Sequence, residues 1–187
     1  RGDENCILPV TSRGGVQMMG MNVLLPKETD PVVWRGPVIA GAVEQFWTDV
    51  IWDDVDYMFV DMPPGTGDVP LTVFQSLPVN GVVVVASPQE LVGMIVEKAV
   101  NMAAMMNKRV LGLVENMSYF VCPDCGSRHS VFGQSRIDET AERFGIGQVA
   151  KLPINPGWAA SCDAGEIESI QVPELAQLAD YIERGAY

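Results

Sequence analysis

Short apolar runs alternate along this chain with longer stretches in which apolar residues recur at helical spacing. Such alternation is typical of a parallel sheet whose strands are joined by crossover helices, because parallel strands are covered on both faces. The runs predicted to be buried strands are Asp56–Asp61, Gly81–Ala86, Val110–Glu115 and Val149–Leu152. The pattern therefore indicates an α/β fold with neighbouring parallel strands and helices on both faces of the sheet.

The segments between these runs carry the start and stop signals of helices. A proline follows Gly36 in the first turn of one segment, where its missing N–H costs no helical hydrogen bond. Gly145 follows another segment, at the position where helices commonly end. The predicted helices are Pro37–Ile51, Pro88–Asn107, Ile137–Phe144 and Pro173–Arg184, the last with Leu175, Leu178, Ala179 and Ile182 on one face.

Length and charge narrow the classes of function. With 187 residues, of which 48% are hydrophobic, the chain is long enough for one well-buried domain. Its net charge of -12 argues against binding to nucleic acid or anionic lipid, because both need clustered Lys and Arg. The longest apolar run is far shorter than the roughly 20 residues that a membrane span needs. We therefore expect a cytoplasmic protein with neither nucleic acid nor a membrane as partner.

The apolar run that ends at Asp61 leads directly into the loop Met-Pro-Pro-Gly-Thr-Gly. A strand followed by a carboxylate and a glycine loop is the arrangement of a Walker B strand. There the Asp holds the hydration shell of Mg²⁺, and a glycine N–H approaches the terminal phosphate. The same residues also fit a helix N-cap followed by a turn, so the local pattern leaves both interpretations open.

Cys122 and Cys125 form a CxxC pair in a chain with four cysteines and one histidine. In a cytosolic chain such a pair suggests metal or redox chemistry. Two thiolates do not complete a 4Fe-4S site, although a twofold dimer would supply the other two. Zinc is the main alternative, with His129 as a third ligand and Cys6 or Cys162 as a fourth. A redox dithiol ranks third, because an acidic residue between the cysteines opposes formation of a thiolate.

Five motifs occur in one order along the chain. They are WRGP at 34–37, DMPPGTGD at 61–68, SPQE at 87–90, ENMSYFVCPDCG at 115–126 and LPINP at 152–156. Together they closely resemble the Mrp/ApbC-type ATPases, iron-sulfur cluster carriers related to MinD and to the nitrogenase iron protein. The resemblance runs from about Met18 to Tyr181 and implies a P-loop NTPase fold, a three-layer parallel sheet with flanking helices.

The resemblance also implies a nucleotide site with ATP and Mg²⁺ as cofactors. The matching positions are Asp61, Gly65, Thr66, Gly67, Asn116 and Pro153. Asp61 corresponds to the Walker B carboxylate, and the glycine loop after it corresponds to the switch that senses the terminal phosphate. Asn116 corresponds to the asparagine that contacts the adenine, and Pro153 opens the loop that lines the base pocket.

Cys122 and Cys125 match the cluster ligands of this family. The resemblance implies a homodimer that holds a 4Fe-4S cluster between its two chains and hands it to apo iron-sulfur proteins. The alternative is a non-enzymatic protein, either a zinc-stabilised interaction domain or a MinD-like positioning factor. The positioning factor is disfavoured because the segment from Pro173 onward has three acids and one Arg, whereas a membrane-binding helix would be basic.

One feature expected of the family is absent from the sequence. No segment fits G-x-x-x-x-G-K-[ST] or its KGG variant, whose backbone N–H groups and Lys make most of a phosphate site. We therefore expect residues 1–187 to form a single P-loop NTPase-like domain, truncated at the N-terminus, that lacks its phosphate-loop unit and one or two strands. Alone, it is expected to hydrolyse ATP no faster than background.

Overall fold

The computed structural model describes residues 6–25, 27, 36–65 and 67–185. The chain divides into two compact units, Arg1–Pro78 and Val79–Tyr187, and each is described by itself. None of the helices in the described ranges is long and apolar enough to cross a lipid bilayer.

The first unit is mainly helical. Its elements are β1 (Val10–Thr11), β2 (Gln17–Met18), α1 (Met21–Leu24), α2 (Gly36–Thr48) and α3 (Asp68–Ser76), with β1 and β2 paired antiparallel. Helices α2 and α3 pack against each other, and Ser76 Oγ donates a hydrogen bond to Glu44 Oε1 at 2.6 Å between them. Val73 and Phe74 of α3 are buried, so this helix pair provides most of the apolar interior of the unit.

The predicted strand Asp56–Asp61 is wrong. Residues 55–61 form no helix or strand, and all of their side chains are exposed, including 80% of Phe59. Within the described part of the chain, no strand pairs with this segment. A strand of a parallel sheet needs neighbours for its backbone hydrogen bonds and helices to cover its side chains. An apolar composition alone therefore does not make this run a strand.

The second unit has the predicted three-layer α/β architecture. Its strands are β3 (Gly81–Ala86), β4 (Arg109–Val121), β5 (Arg128–His129) and β6 (Val149–Pro153). Strand β4 lies between β3 and β6 and runs parallel to both, while β5 pairs antiparallel with the distal end of β4. Three of the four predicted strands are thus confirmed as parallel neighbours. Strand β4 is longer than predicted and ends at Val121, immediately before the first cysteine of the CxxC pair.

The helices of this unit are α4 (Glu90–Met105), α5 (Ile137–Phe144), α6 (Pro156–Asp163) and α7 (Ala176–Glu183), with 3₁₀ turns at Ile167–Ser169 and Pro173–Leu175. Helix α5 has the predicted bounds and ends at Gly145. Helices α2 and α4 are each shorter than predicted at one or both ends. Helices α3 and α6 were not predicted, because each is short and follows a proline-rich or glycine-rich loop.

Apolar side chains cover both faces of the β3-β4-β6 sheet. On one face, Leu113 is fully buried and packs with Val84 against α4 and α5. On the other face, Val114 and Ala150 pack against Leu178 of α7. Neighbouring positions 113 and 114 face opposite layers, as the two-residue period of a strand requires. The prediction of helices on both faces is confirmed, although Ala179 is exposed and does not join Leu178 in the core.

Candidate functional site

The predicted phosphate-sensing loop lies in the first unit, just before α3. Asp61 is exposed, and Thr66 lies outside the described residues. Gly65 has a φ of 96°, a left-handed conformation that a side chain would strain. Gly67 is the N-cap of α3, and its carbonyl accepts the Leu71 N–H at 3.3 Å. The loop therefore leads into the positive end of a helix dipole, where negative charge is favoured.

Asn116 lies on a bulge in β4. The register between β4 and β6 shifts between Glu115 and Tyr119, and Met117 has a φ of 56°. The Asn116 side chain is exposed, and its Oδ1 accepts the Met117 N–H at 2.9 Å. A bulge leaves residues out of the regular ladder and redirects their side chains. The predicted adenine contact is therefore on a local irregularity rather than at the end of a strand.

A buried pair that the sequence analysis did not single out holds this bulge. Glu115 and Ser118 are 3% and 4% exposed, and Ser118 Oγ donates a hydrogen bond to Glu115 Oε2 at 2.5 Å. A carboxylate taken out of water needs such a partner, because an unpaired buried charge is costly. The sequence signal was weak: a lone acidic residue at the end of an apolar run, with a serine three positions later.

Pro153 lies beside this bulge. It is the last residue of β6 and pairs with Tyr119 of β4, and the following Ile154 N–H donates to the Tyr119 carbonyl at 2.7 Å. Asn155 then caps α6 by accepting the Gly157 N–H at 2.9 Å. The structure thus brings Asn116 and Pro153, which are 37 positions apart in the sequence, to adjacent parallel strands. Carboxyl ends of such strands are where open α/β sheets bind ligands.

The CxxC pair occupies the tip of the hairpin between β4 and β5. Cys122 is half-buried and Cys125 is exposed. The Cys122 carbonyl accepts the Gly126 N–H at 2.9 Å, and the Cys122 N–H donates to the Ser127 carbonyl at 2.9 Å. Gly126 has a φ of 71°, in the left-handed region that favours glycine. These contacts close a tight loop around the two thiols.

The electrostatic surroundings of Cys125 favour its thiolate. A side-chain hydrogen bond with Ser127, a backbone hydrogen bond from Ser127 and a side-chain hydrogen bond with Cys122 lower the pKa of Cys125 below its ordinary value. Ser127 Oγ lies 3.2 Å from Cys125 Sγ. Because the thiolate is the form that binds metals, this hairpin is suited to metal chemistry.

A complete zinc site is not formed within the described residues. No group of three or more His, Cys, Asp or Glu side chains in those ranges is placed to hold a metal ion. His129, the third ligand of the zinc alternative, is in β5 opposite Phe120. At the base of the hairpin, Arg128 stacks over the Tyr119 ring at 4.4 Å. Among the described residues, the hairpin therefore offers two thiols as possible metal ligands.

A cavity of about 280 Å³ opens at the carboxyl end of β3 and beside the middle of β4, between α4 and α5. Two ion pairs line it, Arg143 with Glu97 at 2.5 Å and Arg136 with Glu139 at 3.1 Å. The buried Glu115 lines it as well. These residues come from separate elements with no common sequence motif, which is why sequence reasoning missed the cavity.

The second unit is thus an α/β fold with a hairpin that presents two free cysteines, the architecture expected of the P-loop NTPase class. A family model described as ParA, NUBPL iron-transfer P-loop NTPase, matches residues 1–184. The chain belongs to this family, which confirms the resemblance seen in its motifs.

Curated relatives agree with this assignment. An iron-sulfur cluster carrier protein of Clostridium perfringens is 41% identical over 167 residues, which cover 89% of this chain and 58% of the relative. One of Saccharolobus solfataricus is 39% identical over 173 residues, which cover 92% and 58%. The chain thus spans a little more than half the length of these relatives.

A solved structure is similar as well. A nucleotide-binding protein from Archaeoglobus fulgidus, determined in complex with ADP, matches with a TM-score of 0.79 and 37% sequence identity. The match covers 92% of this chain and 67% of that one. The α/β fold predicted from the sequence is therefore shared with an experimentally determined member of the same class.

Proposed function

We propose that this chain is the cluster-binding and nucleotide-responsive part of a cytoplasmic iron-sulfur cluster carrier. Two copies hold one 4Fe-4S cluster through Cys122 and Cys125 of each, and the cluster is passed to apo iron-sulfur proteins. The curated relatives at 41% and 39% identity that carry this name support the proposal. The observation that carries it is the cysteine hairpin, which presents two thiols at its tip.

The hairpin suits a shared and transferable cluster. A 4Fe-4S cluster takes four thiolates, and each chain offers two in the hairpin. In a twofold dimer the same patch faces itself, so the second copy supplies the remaining pair. Because Cys125 is exposed, an acceptor protein reaches its sulfur without unfolding the carrier. A cluster buried inside one chain would lack this access.

The proposal also includes nucleotide binding by a P-loop NTPase-like domain, with the role of each motif position taken from the family resemblance. Asp61 would hold Mg²⁺, and Gly65, Thr66 and Gly67 would sense the terminal phosphate of ATP. Asn116 would contact the adenine, with Pro153 beside it. Supporting this, Asn116 lies within β4, and β4 ends at Val121, immediately before Cys122. A nucleotide-dependent movement of β4 would therefore reach the cysteines.

Anaerobic reconstitution with iron and sulfide tests the cluster. We expect a brown dimer with about four irons, measured by absorbance, iron analysis and sedimentation. Cys122→Ser and Cys125→Ser should each abolish uptake, because a cluster with too few thiolates is not retained. Cys162→Ser is the matched control, since Cys162 is an exposed thiol on α6, outside the hairpin.

A colourless protein with one zinc per chain would overturn the assignment of a 4Fe-4S cluster to the hairpin. Zinc binding that weakens in His129→Ala would identify the alternative, because a site with three protein ligands cannot lose one without losing affinity. Full cluster uptake by Cys125→Ser would also contradict the proposal.

The prediction that this chain alone does not hydrolyse ATP has a separate test. The 187 residues contain no lysine-bearing phosphate loop, so we expect ATP turnover by this chain to stay at background. The measurement is release of phosphate with Mg²⁺ present, compared with Asp61→Ala. Robust turnover that disappears in Asp61→Ala would show that the phosphate site is complete without such a loop.

A further inference from the structure

Ser127 contacts both cysteines of the hairpin. Its Oγ lies 3.2 Å from Cys125 Sγ, and its carbonyl accepts the Cys122 N–H at 2.9 Å. The carbonyl contact uses the backbone and would persist in any variant. The hydroxyl contact belongs to the side chain and is made to Cys125.

A ligand thiolate reverses the direction of this hydrogen bond. In the free thiol, Cys125 S–H donates to Ser127 Oγ. When Cys125 binds iron it loses that proton and becomes an acceptor. A serine hydroxyl both donates and accepts, and it rotates freely, so the contact survives if Ser127 O–H turns toward the sulfur. An alanine or valine at this position would leave the thiolate without the donor.

We propose that Ser127 is a positioning residue for the cluster, whose hydroxyl donates to the ligand sulfur of Cys125 and raises the reduction potential and retention of the cluster. This rests on the proposed cluster function. A donor to a ligand sulfur stabilises negative charge there, and the reduced cluster carries more of it than the oxidised cluster. Partners that hold ligands in place are also a large part of metal affinity. In the proposed dimer, two such hydroxyls would act on one cluster.

The test compares the wild-type chain with Ser127→Ala after anaerobic reconstitution. One readout is the midpoint potential of the cluster, from a redox titration followed by electron paramagnetic resonance. The other is the rate of iron loss to a ferrous chelator. Ser127→Ala should have a more negative midpoint potential and about tenfold faster iron loss, the low end of the effect of removing such partners, because the site is exposed.

Matched variants separate the hydroxyl from the shape of the hairpin. Ser127→Thr keeps the hydroxyl and should retain the wild-type potential, whereas Ser127→Val has nearly the same shape as threonine and should behave like Ser127→Ala. This pair decides the question even if the alanine variant folds poorly. Ser130→Ala removes a hydroxyl from the segment just after β5 and should leave both readouts unchanged.

Equal potentials in Ser127→Thr and Ser127→Val, with full cluster loading in both, would overturn the role of Ser127 and leave the cluster proposal standing. A wild-type chain that takes up no iron-sulfur cluster would overturn both. The two failures are therefore distinguished by the wild-type protein alone.

Discussion

Two apolar runs with similar strand propensity end in different structures. Tyr57–Val60 has two aromatic residues, a methionine and a valine, and Val82–Val85 has four valines, so both are good strand formers. Val82–Val85 is the middle of β3, with Val84 only 8% exposed. Tyr57–Val60 is irregular, and Phe59 is 80% exposed.

The difference lies in the neighbours of each run rather than in its residues. Strand β3 pairs with β4 along its length and is covered by α4. The segment at 55–61 has no strand partner among the described residues. Backbone N–H and C=O groups that leave water must find partners, so an unpaired run stays solvated. Strand formation in this protein is therefore decided by pairing, and propensity only permits it.

The largest expected contrast is between alanine variants at two apolar side chains, one in β4 beside the valine run and one within the irregular run. Leu113→Ala removes a fully buried side chain from beneath α4 and α5 and should lower the free energy of unfolding of the second unit by about 3 kcal/mol. Phe59→Ala, at a mostly exposed side chain, should change stability by less than about 0.5 kcal/mol. Native-state hydrogen exchange at β4 amides measures the first, and exchange at α3 amides measures the second.

A large loss of stability in Phe59→Ala would contradict the exposed position of the segment at 55–61. It would mean that Phe59 is covered in solution and that this run has partners like those of β3.

The second contrast tests how tightly the paired strands pack. A Cβ added at Gly112 in β4 would lie 2.7 Å from Leu178 Cδ1 and 3.2 Å from the Gln148 carbonyl oxygen. Leu178 is itself buried, so it has little room to move, and Gly112→Ala should cost about 2 kcal/mol of unfolding free energy. Urea unfolding followed by circular dichroism measures the loss.

Gly147→Ala is the matched control for Gly112→Ala. A Cβ at position 147 meets no atom within 4 Å, and the expected change is within about 0.5 kcal/mol. If the two alanine variants were equally stable, the close contact between β4 and α7 would be refuted.

The smallest expected effect is on the pKa of Cys125 in the hairpin. The hydrogen bonds of the hairpin contrast with the exposed segment at 55–61, which has no strand partner among the described residues. Because hydrogen bonding by Ser127 lowers the pKa of Cys125, the folded thiol ionises at a lower pH than the same cysteine in a peptide of residues 119–129. Alkylation of Cys125 by iodoacetamide should therefore begin at lower pH in the folded chain. Mass spectrometry of each labelled cysteine across a pH series gives the midpoint.

Ser127→Ala should move that midpoint upward, toward the peptide, because the first cause of the lowered pKa is removed. An unchanged midpoint would show that the backbone hydrogen bonds alone stabilise the Cys125 thiolate. Ser130→Ala provides the baseline for any general effect on the hairpin.

Much of the second unit was predictable because its signals are local. The valines of β3 and the helix Ile137–Phe144, with Gly145 after it, have their predicted bounds. The CxxC pair was expected to offer two thiols, and it does so at a hairpin tip. Each of these features depends on residues within a few positions of one another. Short-range sterics, turn chemistry and hydrophobic period therefore sufficed to predict them.

Other features were decided only by residues distant in the sequence. The burial of Glu115 with Ser118 depends on how the flanking strands and helices pack around them. The placement of Asn116 and Pro153 on adjacent strands depends on the pairing of β4 with β6. The irregular conformation of Tyr57–Val60 likewise depends on residues distant in the sequence, because it follows from the lack of a strand partner among the described residues. Whether a side chain is buried, and whether a backbone group is paired, are set by which elements come together in space. The sequence determined the local elements and the position of two thiols in one loop, and tertiary packing decided which apolar run became a strand.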